Sequence, residues 1–136
     1  MTAPLPIGMP GNEGMTLALA QRLSAELGDV ELHAFPDCET YLRFVTDVAG
    51  RPIVIVCTLD RPNDKMLPLI FAAATARELG AAKIGMVAPY LAYMRQDRRF
   101  KPGAAVTPRQ IAQLPSNAFH RMVTVDPHLH RSGSTR

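Results

Sequence analysis

PIVIVCTLDRPNDKMLPLIFAAATARELGAAKIGMVA, residues 52–88, decides the fold. Pro52 to Cys57 is a short β-branched run bounded by turn residues, the pattern of a fully buried strand. Arg61 to Asp64 reads as a turn, with Asp64 placed to cap the helix that follows. That helix is expected from Lys65 to Leu79, and Gly80 is a natural stop beyond its end. Lys83 to Ala88 is the next strand. Strand, helix and strand in succession argue for an α/β architecture.

The same alternation extends in both directions. Leu5 to Met9 makes a short opening strand, and Met15 to Leu27 a helix with an apolar stripe of Leu17, Leu19, Ala20, Leu23 and Leu27. Gly28 suits the cap beyond that helix. Val30 to Phe35 alternates apolar and polar residues as a half-exposed strand does, and Tyr41 to Val48 is its partner in a small antiparallel ribbon. Thr107, Pro108 and Gln110 form a helix-start signature. Met122 to Val125 is a last strand, ending at Asp126-Pro127-His128. The expected fold is an open, mostly parallel sheet with helices on both faces and the small ribbon projecting from it. No repeat or linker divides the chain, and residues 131–136, ending in SGSTR, read as an irregular tail.

At 136 residues with 47% hydrophobic side chains, the chain can bury one workable core. Its formal net charge of +3 is modest and concentrated in residues 95–101 and around Arg121, Arg131 and Arg136. A nucleic-acid module would carry a broad basic face with interleaved aromatics, so 6% aromatics without Trp argue against that partner. Cys38 and Cys57 lie far apart, which supports neither a disulfide framework nor a zinc site. The first residues, MTAPLPIGMPGNEG, lack a basic region and a long apolar stretch, and no segment approaches a membrane span of about 20 apolar residues. The expected compartment is the cytoplasm.

Three places can carry chemistry. YMRQDRRFKPG, Tyr93 to Gly103, sets Arg95, Arg98, Arg99 and Lys101 around Gln96 and Asp97 directly after a strand. Cations this dense repel one another unless an anion joins them, and Arg suits phosphate through its bidentate donors. The carboxyl end of a strand is also where open α/β sheets bind ligands. Read alone, such a run is equally a solvated loop. Asp126 and His128, two apart on an extended backbone, point to one side and can hold a hard divalent ion, directly or through water. By spacing alone they read better as a surface cluster with His130. Phe35, Asp37 and Glu39 alternate along an extended segment, with a strand-end core residue and two solvated acids as the equal alternative.

RQDRRFKPGAAVTPRQIAQL, FPDCET at 35–40 and VTVDPHLH at 123–130 together resemble the ribose-phosphate pyrophosphokinases, in that family's order and over roughly residues 4 to 130. The resemblance implies the N-terminal domain of a phosphoribosyltransferase-like pair. It implies that Phe35 stacks on the adenine of ATP while Asp37 and Glu39 read its polar edge, supplied from a neighbouring subunit of a homo-oligomer. Arg95 and Gln96 would contact the phosphates and the base or ribose, with Asp97 bracing the loop. His128, with Asp126, would hold Mg-ATP. The implied reaction passes a diphosphoryl group from ATP to ribose 5-phosphate, giving phosphoribosyl pyrophosphate and AMP.

This chain departs from the pattern at Pro127, where Leu is usual, and at Cys38, where Gly is common. No stretch matches the family's catalytic loop or the loop that grips the pentose phosphate, so no catalytic residue is assigned. The C-terminal domain is expected to be missing and the chain to be inactive alone. A non-catalytic relative that assembles with full-length synthetases is the rival reading. His33, His120 and the methionines carry no assigned chemistry.

Overall fold

The computed structural model describes residues 3–88, 102–103 and 119, and the backbone of 121–124. Strands β1 (Leu5–Gly8), β4 (Pro52–Val56), β5 (Lys83–Ala88) and β6 (Arg121–Thr124) form one sheet in the order β1-β4-β5-β6. Every neighbouring pair in it is parallel. Helix α1 (Glu13–Leu23) follows β1, and α2 (Pro62–Glu78) joins β4 to β5. Strands β2 (Val30–Ala34) and β3 (Thr40–Phe44) pair antiparallel as a separate ribbon. The mixed α/β fold, with its parallel sheet and small antiparallel pair, is the expected one.

β4 is central because its β-branched residues suit a strand flanked on both edges. Register partners lie side by side, so Leu5, Ile53 and Ile84 make one row and Ile7, Ile55 and Met86 the next. All six are essentially inaccessible to solvent. Each contributes about 1.5–3 kcal/mol of apolar burial. α2 closes over this core with Met66, Leu69, Ala72, Ala73 and Ala76, whose small side chains permit close approach. The ribbon adds Val30, Leu32, Leu42 and Phe44 against the same cluster.

Two helices depart from expectation. α1 ends at Leu23, where Ser24 takes the left-handed conformation (φ 50°) and the Ala25 N–H donates to the Ala20 carbonyl at 2.9 Å. Its buried face is Asn12, Thr16 and Ala20; Leu17, Leu23 and Leu27 are exposed, and Leu19 is half-buried. The reason is the seam with β1. A Cβ on Gly8 would fall 2.4 Å from the Thr16 hydroxyl oxygen, so only small side chains fit between strand and helix. Gly28 does not cap α1. Its N–H donates to the Pro6 carbonyl at 2.8 Å, and a Cβ there would fall 2.6 Å from Ile7.

α2 begins at Pro62, three residues before the expected start, because proline's fixed φ suits the first helical position. Asp64 therefore sits inside the first turn, where its charge complements the helix dipole, and no side chain caps the helix. Pro68 lies inside the helix and removes the donor that the Asp64 carbonyl would otherwise receive. Gly80 adopts φ +91° just past the end, as expected. The helix start expected at Thr107–Gln110 and the tail 131–136 lie outside the described residues.

Candidate functional site

The ribbon ends in a tight reversal built by the sequence Phe35-Pro36-Asp37-Cys38-Glu39. The Phe35 N–H donates to the Glu39 carbonyl, and the Cys38 N–H to the Phe35 carbonyl, both at 2.8 Å. Proline pre-sets the first turn position, and the third loop residue must be left-handed to rejoin the strands. Cys38 occupies that position with φ 74°. The backbone thus keeps the conformation that glycine would adopt more easily.

Asp37 Oδ1 accepts the Glu39 N–H at 3.0 Å, an Asx turn that fixes the two acids relative to each other. Residues 33–39 are all exposed, and Phe35 is 44% exposed. An accessible aromatic face beside two carboxylates can stack on a flat ring and accept hydrogen bonds from its edge. Of the expected site residues, the structure brings together Phe35, Asp37 and Glu39. Arg95, Gln96, Asp97, Asp126 and His128 lie outside the described residues.

Sequence reading missed the neighbours of Phe35. Tyr41 faces His33 across the ribbon as its register partner, and the two rings stack 4.6 Å apart at 22°. Phe35 stands edge-on to both. The signal was available: His33 and Phe35 are two apart on one strand, and Tyr41 lies opposite. Using it requires the register of the hairpin.

The other candidate region is the carboxyl edge of the parallel sheet. β5 and β6 end there, at Ala88 and Thr124, beside the ends of β1 and β4. Asn12, only 4% exposed, ties two of these ends together. Its Oδ1 accepts the Thr58 N–H at 3.0 Å and the Thr58 hydroxyl at 2.8 Å. Its Nδ2 donates to the carbonyls of Met9 (3.2 Å) and Pro10 (3.3 Å). Lys65 donates to the Thr58 carbonyl at 3.2 Å and pairs with Asp60. Hydrogen bonding to Lys65 holds the Asp60 carboxyl below the usual range.

Burial pushes the Cys57 thiol up to about 11, so it stays protonated and unreactive. A pocket of about 120 Å³ opens here, lined by Met9, Pro10, Leu32, Cys57, Asp64, Lys65 and Pro68. Nucleotide-sized ligands occupy about 300–1,000 Å³, so this pocket is too small for one. Among the described residues no three His, Cys, Asp or Glu side chains are grouped to hold a metal ion. Nor is any helix among them long and apolar enough to cross a membrane.

The family model for the N-terminal domain of ribose phosphate pyrophosphokinase matches residues 7–118. The ribose-phosphate pyrophosphokinase of Saccharolobus solfataricus is 40% identical over 124 residues, covering 90% of this chain and 43% of that protein. Its counterpart in Methanopyrus kandleri is 39% identical over 120 residues, covering 86% of this chain and 41% of that one. The chain therefore spans less than half the length of these relatives. The crystal structure of phosphoribosylpyrophosphate synthetase from Mycobacterium smegmatis superposes with a TM-score of 0.79 at 15% identity. That match covers 92% of this chain and 49% of the other, and at such identity it speaks for the fold alone.

Proposed function

The chain belongs to the ribose-phosphate pyrophosphokinase family, and from that premise we propose that it is the ATP- and Mg-binding half of a diphosphoryl-transfer enzyme. One observation carries the reading: Phe35 stands exposed at the ribbon tip beside Asp37 and Glu39, organised by the turn and serving no core. Phe35 offers its ring to adenine, and the two carboxylates accept from the exocyclic amine. Arg95 and Gln96 meet the phosphates, with Asp97 bracing them. Asp126 and His128 hold Mg²⁺, which would spread the charge of the moving diphosphoryl group when bound.

Residues 1–130 make up this half. The ribose 5-phosphate half and the catalytic loop find no match in these 136 residues, so the chain alone binds the nucleotide and does not turn it over. It acts in the cytoplasm as a homo-oligomer. In support, α2 carries no charged residue from Met66 to Ala76 and leaves Leu67 (54%) and Phe71 (42%) exposed on its outward side.

Calorimetric titration of the 136-residue chain with Mg-ATP tests the proposal. Binding that Arg95→Ala and His128→Ala both weaken, without AMP production in the presence of ribose 5-phosphate, is expected. A folded protein that binds no Mg-ATP sinks the nucleotide reading, and steady AMP production sinks the inactivity.

A further inference from the structure

Side chains alternate along β2 and β3, so the ribbon has two faces. Val30, Leu32, Leu42 and Phe44 pack on the core. The other face carries the Glu31–Arg43 ion pair (3.5 Å), then His33 opposite Tyr41, then Phe35 at the tip. Three rings gathered on the outward side of a two-stranded ribbon contribute nothing to the core. Phe35 lies 5.6 Å from His33 at 78° and 6.0 Å from Tyr41 at 80°. Near-perpendicular contacts of this kind suit the ring quadrupoles. Neither neighbour lies flat on Phe35, so no parallel stack competes with an incoming base.

An exposed phenylalanine next to a turn would otherwise sample several rotamers, and a ligand stacking on it would have to freeze them. Contacts with two rings remove that freedom before binding, which is preorganisation. We propose that His33 and Tyr41 are positioning residues that hold the Phe35 ring ready for a nucleotide base. Tyr41 is the stronger of the two, since it is half-buried and anchors the stacked pair. The inference rests on reading Phe35 as the base platform.

The experiment titrates the full chain with Mg-ATP and, separately, with magnesium tripolyphosphate, which has the phosphates and no base. Aromatic pairs are worth about 0.5–1.5 kcal/mol, which corresponds to roughly 2- to 12-fold in affinity. Tyr41→Ala is expected to weaken Mg-ATP binding by about that factor and leave tripolyphosphate unchanged. Tyr41→Phe should restore binding, because the ring and not the hydroxyl makes the contact; His33→Phe should likewise bind normally. Circular dichroism establishes that each variant is folded, and Tyr41→Leu replaces Tyr41→Ala if the latter is not.

Equal loss of both ligands would mean general damage to the ribbon and would overturn the inference. So would unchanged Mg-ATP binding by Tyr41→Ala when Phe35→Ala weakens it. If Phe35→Ala itself binds Mg-ATP normally, the base-platform reading fails first and takes this inference with it.

Discussion

The ribbon tip and the carboxyl edge of the sheet use polar groups in opposite ways. At the edge, Asn12, Thr58, Lys65 and Asp60 satisfy one another, and Asn12 is sealed from solvent. At the tip, Asp37 spends one oxygen on its own turn, while Phe35 and Glu39 face water. The edge is a brace that fixes where the loops after β1 and β4 begin. The tip is a surface with side chains to spare. A polar residue near a strand end is therefore not by itself a ligand contact; its partners decide.

The two cysteines give the largest contrast. Cys57 sits at the edge with its thiol pushed up to about 11, from an ordinary value of 9.0. The folded state then holds this proton more tightly than the unfolded chain. The resulting stability is fully present below pH 9 and is lost as pH rises from 9 to 11. Two pKa units correspond to about 2–3 kcal/mol. Urea titrations across that range should show the decline, and Cys57→Ala should flatten it. Thiol reagents at neutral pH should label exposed Cys38 and spare Cys57 in the folded protein.

Next comes the brace. Asn12→Ala removes the acceptor of the half-buried Thr58 N–H and hydroxyl and the donor to two carbonyls, and should cost about 2 kcal/mol in chemical denaturation. Phe35→Ala at the tip should cost about 1 kcal/mol, because its edge contacts with His33 and Tyr41 are lost but no buried polar group is stranded. Comparable losses at the two sites would erase the distinction between brace and surface. The smallest effect belongs to the turn. Cys38→Gly relieves a left-handed residue at a cost of about 1–2 kcal/mol, partly offset by greater unfolded-state freedom, for a net gain of about 0.5 kcal/mol in thermal unfolding. A loss instead would mean that the Cys38 side chain makes a stabilising contact.

How much of this was legible follows from the range of each interaction. PIVIVC announced β4 because a β-branched run between turn residues has few other uses. FPDCE stands out by its resemblance to a family motif and reads as an extended segment, whereas Pro36, Asp37 and Cys38 reverse the chain in a tight turn. The leucines of α1 misled, since their spacing favoured a buried stripe while the contact of Gly8 with Thr16 left room only for small residues. Asn12 carried no signal of its own, because its partner Thr58 becomes a neighbour only when β1 pairs with β4. Tyr41 needed the hairpin register before it could be joined to Phe35.

Strand order has a consequence for how the chain assembles. Leu5 pairs with Ile53 only after α1 and the whole ribbon have been made, whereas Ala34 meets Thr40 across one short turn. Closing the long loop costs more chain entropy and is slower than closing the hairpin. β1 leaves the ribosome well before β4 and must therefore wait, with its apolar LPI unpaired, for a partner made much later. The ribbon can zip as soon as it emerges, so the tip takes shape before the sheet that carries it.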